Sequence, residues 1–464
     1  MNDEHTNVMA QIADFVCRFS LEQAPSEAVG VARTCVQDLV GVTLAGAQEP
    51  VARLCQDWVA AEGATPRATV HGTRIRSSVA NAALANGVAG HALDLDDVSL
   101  AIRGHPGVVV GSAVLAAAEA EGASGSQLLA AYLVGVETMV ALGFGIGRTH
   151  YIMGWHATAT LGTLGAAAAI ARLYRLDAEH CGHALGIAVS LAAGMRCNFG
   201  TMTKPLHAGH ASSRGAFAAA LAARGHTASS VALESPVGFF SLFSRDANPG
   251  AVLERLGRTW GILSPGISFK RHACCYGTHH AIDAVLALRD EYELKADVIE
   301  HIDVLVAPGG MAALLYDAPN EGMKGKFSLP YTVASAAMDG APTLKTFDDA
   351  AVRRPAVRAL MERVSCREAP GPAVTGDDPR FAEVTVTLRD GRRLRRRVDT
   401  PKGGAAAPLT AAEHDAKFID LASAGLGDGM RARVVLDVLH DLERLDDINI
   451  LTRLLSDSDR ETTT

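Results

Sequence analysis

Residues 126–147 read SQLLAAYLVGVETMVALGFGIG, and this stretch decides the fold class. Its apolar residues recur at i, i+3, i+4 and i+7, which is the spacing of an amphipathic helix. The same spacing occurs in IADFVCRF (12–19), AVGVARTCVQDLVGVTLAG (28–46), SSVANAALANGVAGHAL (77–93) and TATLGTLGAAAAIARLY (158–174). The chain is therefore predicted to be helical to about residue 267, and its many alanines and glycines let neighbouring helices approach closely.

The residues around this stretch argue against a membrane helix. The apolar region 106–147 is interrupted by Glu119, Glu121, Glu137 and several glycines. A bilayer span needs about 20 consecutive apolar residues. The apolar surface is therefore expected to be buried between helices or between subunits, which favours a homo-oligomer.

After about residue 268 the periodicity changes to that of strands. IEHIDVLVAP (299–308) alternates between apolar and polar residues. FAEVTVTLRDGRRLRRRVDT (381–400) predicts a hairpin whose Asp390-Gly391 dipeptide suits a type I′ turn. The basic run 392–397 predicts a solvated edge strand.

The chain is predicted to have two domains. PKGGAAAPLT (401–410) has the composition of a linker, and helical periodicity returns after it. The expected fold is mainly α, with a large all-helical domain formed by residues 1–267 and 405–464. Residues 268–404 are expected to form a smaller α+β lid domain. A small-molecule site is expected in the cleft between two such domains.

Composition excludes several classes of protein. The chain has 43 Lys and Arg against 51 Asp and Glu, a net charge of −8, and only 5% aromatic residues. Nucleic-acid binding usually needs a basic face or stacking aromatics, so no nucleic-acid partner is expected. The eight cysteines contain no CxxC pair and the start MNDEHTN does not resemble a targeting signal. A cytoplasmic protein with reduced thiols and no membrane partner is expected.

Four clusters of polar residues interrupt the apolar sequence. They are HALDLDDVSLAIRGHPG (91–107), GWHATATLGT (154–163), RCNFGTMTKPLHAGHASSRG (196–215) and FKRHACCYGTHHAID (269–283). The first cluster has three interpretations: a solvated loop, an acidic metal site, or half of a proton-transfer site. A metal is not predicted, because no HExxH motif occurs and His207-x-x-His210 lacks a third ligand nearby.

The third cluster has the features of an anion site. Pro205 suits the first turn of a helix, and Lys204 stands at its start. The exposed N–H groups of a helix start and an ammonium group together suit a carboxylate. The alternative is an ordinary capped helix with partly buried histidines.

Taken together, these clusters resemble the MmgE/PrpD family. The matching stretches occur in family order between about residues 80 and 335: NGVAGHALDLDD, RGHPG, GWHATATLGTLGAAAAIARL, GTMTKPLHAGHA, KRHACCYGTHHAID and KFSLPYTVA. The family includes 2-methylcitrate dehydratase, cis-aconitate decarboxylase and iminodisuccinate epimerase. The resemblance implies a helical domain with a smaller lid, a homodimer, and catalysis without a metal or organic cofactor.

The resemblance also implies roles for individual residues. His105 and His156 are the acid/base candidates, and Asp94 orients a histidine or acts as a base itself. Lys204 is the fourth catalytic candidate, binding a carboxylate or protonating an oxyanion. The substrate-binding candidates are Lys270, Cys275 and Tyr316. Arg103 joins them on its position and not on the resemblance, because it precedes the GHP motif and is suited to bind a second carboxylate. Cys275 stands where the decarboxylase has a histidine, which argues against cis-aconitate as the substrate.

The chemistry common to the family is proton movement at a carbon next to a carboxylate. It needs an acid or base, for which histidine is suited near neutral pH, and cations that hold carboxylates. The predicted function is a cofactor-independent lyase, a dehydratase or decarboxylase, of a small di- or tricarboxylate. An epimerase of an amino- or imino-dicarboxylate such as iminodisuccinate is the alternative. A non-catalytic helical scaffold is the alternative from another class.

Overall fold

The fold of the protein is mainly α, as the sequence predicts. A computed structural model describes residues 7–374 and 380–456. The chain divides into two compact units. The larger one comprises the described residues of Met1–Met195, Pro205–Ile267 and Thr410–Thr464, and the smaller one comprises those of Arg196–Lys204 and Ser268–Leu409. The prediction placed 196–204 and 405–409 with the helical domain, whereas the structure groups both segments with the smaller unit.

Twenty α-helices are assigned within the described residues. In chain order they are α1 Val8–Arg18, α2 Ser26–Gly46, α3 Pro50–Ala61, α4 Val79–Ala92, α5 Pro106–Glu121, α6 Gly125–Ile146, α7 Thr149–Ile152, α8 Ala157–Leu173, α9 Ala178–Leu191, α10 Thr203–Ala222, α11 Phe239–Phe243, α12 Gly250–Arg255, α13 His279–Tyr292, α14 Gly322–Gly325, α15 Leu329–Asp339, α16 Asp349–Val352, α17 Pro355–Met361, α18 Ala411–Leu426, α19 Gly429–His440 and α20 Asn449–Leu454. The five helical stretches predicted from periodicity correspond to α1, α2, α4, α6 and α8.

The same described ranges contain eight strands. They are β1 Ala68–Thr69, β2 Arg76–Ser77, β3 Val98–Ser99, β4 Ile267–Ser268, β5 Ile299–Val306, β6 Val364–Glu368, β7 Ala382–Leu388 and β8 Arg393–Val398. Strands β1 and β2 form a short antiparallel hairpin within the larger, mainly helical unit. The hairpin is tied to α5 by Glu119, whose buried carboxylate accepts hydrogen bonds from the Thr69 N–H and hydroxyl (2.8 and 2.7 Å).

The smaller unit is built on a four-stranded sheet in the order β6-β5-β7-β8. Strand β5 is parallel to β6 and antiparallel to β7, and β7 is antiparallel to β8. Alternate residues of β7 are buried, which is the pattern of a sheet with one covered face. Helices α13 and α15 pack against the strands. The basic run lies on β8, which is an edge strand as predicted.

The turn of the β7–β8 hairpin differs from the prediction. Gly391 has φ +88°, but Asp390 is not among the residues with positive φ. A type I′ turn requires positive φ at both central residues. Since the Leu388 N–H donates to the Arg392 carbonyl (2.8 Å), residues 389–391 form a three-residue loop with glycine at its left-handed position.

Glycines bring helices α6 and α8 into close contact. A Cβ atom added at Gly135 would lie 2.8 Å from the Gly165 carbonyl oxygen, and one added at Gly165 would lie 2.9 Å from the Gly135 carbonyl oxygen. Neither position has room for a side chain, because real Cβ atoms do not approach an oxygen so closely. This contact fixes α8, whose first residue follows His156.

Helices α2 and α6 are long and apolar enough to cross a membrane by length and composition alone. Of their most apolar windows, 67% and 94% respectively are buried inside the protein. The core helix of a soluble protein meets the same criteria, so these two helices are weak grounds for a membrane span.

The acidic residue inside α6 has a structural role. The Glu137 carboxylate accepts hydrogen bonds from the backbone N–H groups of Gly261 (2.7 Å) and Ile262 (2.9 Å). Burial raises the pKa of Glu137 to about 7, and these two hydrogen bonds oppose the rise. Glu137 therefore binds the 261–262 turn to the most apolar helix of the protein.

Glu137→Gln is expected to remove part of the pH dependence of stability. The folded-state pKa of about 7 lies above the ordinary value of 4.5, so the folded protein holds this proton more tightly than the unfolded chain. The free energy of unfolding of the wild type should therefore fall by about 3 kcal/mol as pH rises from 4.5 to 7. This fall should be absent in Glu137→Gln. Urea midpoints followed by circular dichroism across this range measure it. Glu300→Gln, at an exposed position of β5, is the control that should keep the wild-type slope.

Candidate active site

The loop between α4 and α5, residues 93–105, is folded back on itself and buried. Ser99 and Gly104 pair through two backbone hydrogen bonds (2.9 and 3.3 Å). Asp94 and Arg103 both have left-handed backbones, with φ of +53° and +51°. Such conformations are uncommon outside glycine and are often found at functional sites. The three aspartates of this loop are buried, with 1–3% of their surface exposed, which contradicts the solvated-loop interpretation.

Asp96 lies between two histidines. His91 Nδ1 is 2.9 Å from both Asp96 carboxylate oxygens, and His105 Nδ1 is 3.2 Å from Asp96 Oδ2. Burial alone would raise the pKa of Asp96, but the charges and hydrogen bonds of His105 and His91 hold the pKa well below its ordinary value. Asp96 is therefore a carboxylate that stabilises protonated histidine on either side.

A carbonyl oxygen determines which nitrogen of His105 carries the proton. His105 Nδ1 lies 2.8 Å from the carbonyl oxygen of Asp97, which can only accept a hydrogen bond. Nδ1 therefore carries a hydrogen, and Nε2 is the unprotonated nitrogen of the neutral ring. This arrangement suits His105 for taking up or delivering a proton through Nε2.

The Asp97 side chain also fixes the backbone that follows His105. Asp97 Oδ1 accepts a hydrogen bond from the N–H of Gly107 (3.0 Å), in the first turn of α5. A Cβ atom at position 107 would lie 2.4 Å from Asp97 Oδ2, so glycine is needed there. Burial, together with the charges of Asp96 and Asp38, raises the pKa of Asp97 to about 8. Asp97 is thus a largely neutral carboxyl group that fixes the start of α5.

His156 and His207 extend the group in a row of four imidazoles. The ring centres are separated by 4.5 Å for His105 and His91, 6.2 Å for His91 and His156, and 5.3 Å for His156 and His207. The Nδ1 atoms of His156 and His207 are 3.1 Å apart. All four side chains are buried, at 1–9% exposure. The row and Asp96 thus place five titratable side chains in one buried part of the larger unit.

The two predicted acid/base histidines occupy equivalent positions. His105 immediately precedes α5 and His156 immediately precedes α8. The two helix starts meet, because the His105 N–H donates to the Thr158 hydroxyl (3.2 Å) and a Cβ at Gly104 would lie 3.0 Å from the Thr158 nitrogen. The N-terminal ends of helices favour anions, so this meeting point suits a carboxylate next to two histidines.

A buried ion pair holds the 93–105 loop in place. Lys417 of α18 lies 2.7 Å from the Asp38 carboxylate of α2 and donates a hydrogen bond to the Leu95 carbonyl (3.0 Å). Burial raises the pKa of Asp38, and the charge of Lys417 opposes the rise. The Lys417 ammonium group therefore joins α18, α2 and the 93–105 loop.

Lys417→Met is expected to destabilise the protein by about 3 kcal/mol, because it leaves the buried Asp38 without its cation. The double variant Lys417→Met/Asp38→Asn should recover part of this loss, since it removes the buried charge as well. Thermal midpoints by circular dichroism measure both changes. Lys345→Met, at an exposed position, should change stability by less than about 0.5 kcal/mol. Equal losses in the single and double variants would contradict the role of the ion pair.

The smaller unit holds a second group of predicted residues. Lys204 Nζ lies 5.4 Å from the Phe199 ring centre and 5.2 Å from that of Phe327. The Tyr316 hydroxyl donates to the Phe199 carbonyl (2.7 Å), and Gly200 allows this contact because a Cβ there would lie 2.5 Å from the Tyr316 ring. Lys204, Phe199 and Tyr316 thus form one contact group.

Cys275 and Lys270 lie in the same unit. The Cys275 N–H donates to the Lys326 carbonyl (3.0 Å), which places Cys275 next to the segment that carries Phe327. Lys270 is fully buried and Lys204 is 4% exposed. Both side chains end in an ammonium group, and a buried ammonium is the kind of cation that holds a carboxylate.

The structure thus separates the predicted residues into two groups. The row of four histidines in the larger unit includes His105 and His156, and Asp94 lies beside it. The smaller unit contains Lys204, Lys270, Cys275 and Tyr316. Arg103 lies in the larger unit, where its guanidinium is 5.4 Å from the Tyr151 ring centre. That Lys204 acts in catalysis and that Arg103 binds the substrate stay predictions.

Sequence reasoning did not assign a catalytic role to His91, Asp96 or His207. His91 and Asp96 lie five residues apart, at the end of a helix and in the loop after it, and no spacing rule identifies such a pair. His156 and His207 are 51 residues apart in the chain, so only the packed helices reveal their contact.

The histidine group also has the chemistry of a metal site. One ligand atom from each of His91, Asp94, Asp96 and His105 lies within 4.8 Å of the others. Two imidazoles and two carboxylates suit zinc or another divalent transition metal. Both imidazole Nδ1 atoms, however, lie at hydrogen-bond distance from Asp96. The expectation that no metal is used stays a prediction.

Comparisons with known proteins agree with this architecture. The model of the MmgE/PrpD N-terminal domain matches residues 10–251, and that of the MmgE/PrpD C-terminal domain matches residues 272–441. The chain is 30% identical to the cis-aconitate decarboxylase of Homo sapiens over 432 residues, which are 90% of this chain and 88% of that protein. It is 32% identical to the Mus musculus enzyme of that name over 386 residues (81% and 78%). It is 26% identical to the cis-aconitate decarboxylase of Aspergillus terreus over 475 residues, which are 97% of this chain and 96% of that protein.

Proposed function

The chain belongs to the MmgE/PrpD family, and from this premise we propose that it is a lyase acting on a small di- or tricarboxylate by proton transfer next to a carboxylate. The relatives named cis-aconitate decarboxylase make decarboxylation of cis-aconitate the first reaction to test. The observation that carries the proposal is the row of four buried histidines with Asp96 in contact with two of them.

The proposed decarboxylation needs a group that donates a proton to a carbon of the substrate. When cis-aconitate loses carbon dioxide, the broken carbon–carbon bond supplies the electrons of a new double bond. The electrons of the old double bond then move to the carbon next to a second carboxylate, and that carbon takes up a proton. A positioned imidazolium supplies such a proton.

His105 is the proposed donor of this proton. The Asp96 carboxylate stabilises its protonated form, and the Asp97 carbonyl holds Nδ1–H so that the transferable proton is on Nε2. His156 is the second acid/base group, and Asp94 is within reach of the same cluster. The buried ammonium groups of Lys204 and Lys270 are proposed to bind the carboxylates that stay on the substrate.

Three further features are proposed from the sequence and the family resemblance. We propose a homodimer that works in the cytoplasm without a metal or organic cofactor. Light scattering coupled to size-exclusion chromatography tests the dimer. Dialysis against EDTA tests the metal, since unchanged activity afterwards is expected.

The experiment that tests the function is proton NMR of the protein in D₂O with cis-aconitate, citrate, 2-methylcitrate and iminodisuccinate. With cis-aconitate, we expect loss of carbon dioxide and one deuterium at a carbon next to a carboxylate. The other acids are tested in parallel because Cys275 stands where the decarboxylase has a histidine. Deuterium exchange without loss of carbon dioxide or water would indicate that the protein is an epimerase and not a lyase. No reaction and no exchange with any of the four would contradict the proposal and favour a scaffold.

A further inference from the structure

We infer that His207 is a positioning residue that fixes which nitrogen of His156 carries the proton. The inference rests on the proposed acid/base role of His156 and extends it to a residue outside the predicted catalytic set. It follows from the contact between the two imidazole Nδ1 atoms, which are 3.1 Å apart.

The two rings are held in place by their surroundings. His156 is 1% exposed and His207 is 8% exposed. The His156 N–H donates to the Gly194 carbonyl (3.0 Å), which fixes the backbone before α8. Gly194 has φ +142°, and a Cβ there would lie 2.6 Å from the Ala159 Cβ and 3.4 Å from His207 Cγ. The backbone at Gly194 thus packs closely on the His207 ring.

Two nitrogens at this distance can share only one hydrogen. Two protonated Nδ1 atoms would repel each other, and two unprotonated ones would bring their lone pairs together. If His156 Nδ1 carries the hydrogen, the Nε2 atom of its neutral ring is a base. If His207 Nδ1 carries it, His156 Nε2 carries a hydrogen and is not a base.

Proton uptake by His156 selects between these two states. When Nε2 holds the proton that the reaction moves, both nitrogens of His156 are protonated, so its Nδ1–H must donate to His207. His207 must then present an unprotonated Nδ1 and carry its own hydrogen on Nε2. No proton passes to His207 in this step. His207 therefore orients His156 and stabilises its charged form as a neutral acceptor, much as a carbonyl does for His105.

Two substitutions at His207 test this role. Asn places its side-chain oxygen near the position of Nδ1 and can accept the hydrogen bond, whereas Phe keeps the ring shape and removes the acceptor. We expect His207→Phe to lower kcat by about 100-fold or more, because in the wrong tautomer His156 Nε2 cannot take up the proton that the reaction moves. We expect His207→Asn to stay within about 10-fold of the wild type, with KM nearly unchanged in both. His210→Asn, one turn further along α10, is the control that should keep wild-type kcat.

A spectroscopic measurement separates this inference from the proposed function. In protein labelled with ¹⁵N-histidine, the His156 signals, assigned by their absence in His156→Ala, should show the Nδ1–H form in the wild type and in His207→Asn. In His207→Phe they should shift towards the Nε2–H form. Full kcat in His207→Phe, equal losses in both variants, or an unchanged tautomer would overturn the inference. If the wild type turns over none of the test acids, the proposed function fails and the tautomer measurement alone decides the role of His207.

Discussion

His156→Ala is expected to abolish measurable turnover while the helical circular dichroism stays that of the wild type. His156 lies in the middle of the row, between His91 at 6.2 Å and His207 at 5.3 Å between ring centres. Removing a general acid or base typically costs 10²- to 10⁴-fold in rate, and we expect a loss of about 10³-fold or more here. The measurement is kcat by NMR with the substrate identified in D₂O.

Added imidazole makes this experiment sharper. The alanine variant leaves a space the size of the lost ring next to His207, and imidazole bound there should restore part of kcat without changing KM. His226→Ala, at an exposed position, should keep wild-type activity with or without imidazole. A His156→Ala variant within about 10-fold of wild-type kcat would show that His156 is not the acid or base.

The local part of the fold was predictable because it depends on neighbouring residues. Apolar periodicity identified α2, α6 and α8, and alternation identified β5 and the β7–β8 hairpin. The turn type was wrong because Asp390-Gly391 fits more than one loop, and the pairing of Leu388 with Arg392 decides which one forms. Chain order does not show to which unit a loop such as 196–204 packs, so the sequence alone does not assign this segment.

The candidate site was predictable only as a set of residue types. Family motifs indicated His105 and His156, and both lie in one buried group. They did not indicate Asp96 as the carboxylate between His91 and His105, because Asp94, Asp96 and Asp97 are equivalent by composition. What separates them is tertiary structure: Asp96 contacts two histidines, whereas Asp97 contacts the first turn of α5.

The difference between Asp96 and Asp97 also shows how one loop holds two protonation states. Paired histidines keep Asp96 ionised, while burial next to that charge favours the protonated form of Asp97. Two neighbouring carboxyl groups therefore have different functions. Asp96 provides the charge that stabilises imidazolium, and Asp97 provides hydrogen bonds that fix the backbone around His105. The loop that carries both groups has two left-handed residues and is tied to α2 and α18 through Lys417.

Lys204→Ala is expected to lower kcat/KM by about 10³-fold, since it removes one of the two buried cations proposed to hold the substrate carboxylates. Lys204 is 4% exposed, so bulk solvent cannot substitute for its charge. Lys204→Arg keeps the charge but changes its shape, and should lose less than the alanine variant. Lys345→Ala, at an exposed position, is the control that should keep wild-type kcat/KM.

A substrate analogue decides whether the effect of Lys204 is carboxylate binding. An acid that lacks the carboxylate bound by Lys204 should be processed poorly by the wild type and no worse by Lys204→Ala, because the interaction is absent in both. If the alanine variant instead loses the same factor with every acid, Lys204 acts on the reacting atoms or on the fold, and unchanged circular dichroism would assign it to the reaction. If Lys204→Ala keeps full activity with all substrates, the cation that holds the substrate is a different one, and Lys270 and Lys326 are the other buried lysines in the described part of the smaller unit.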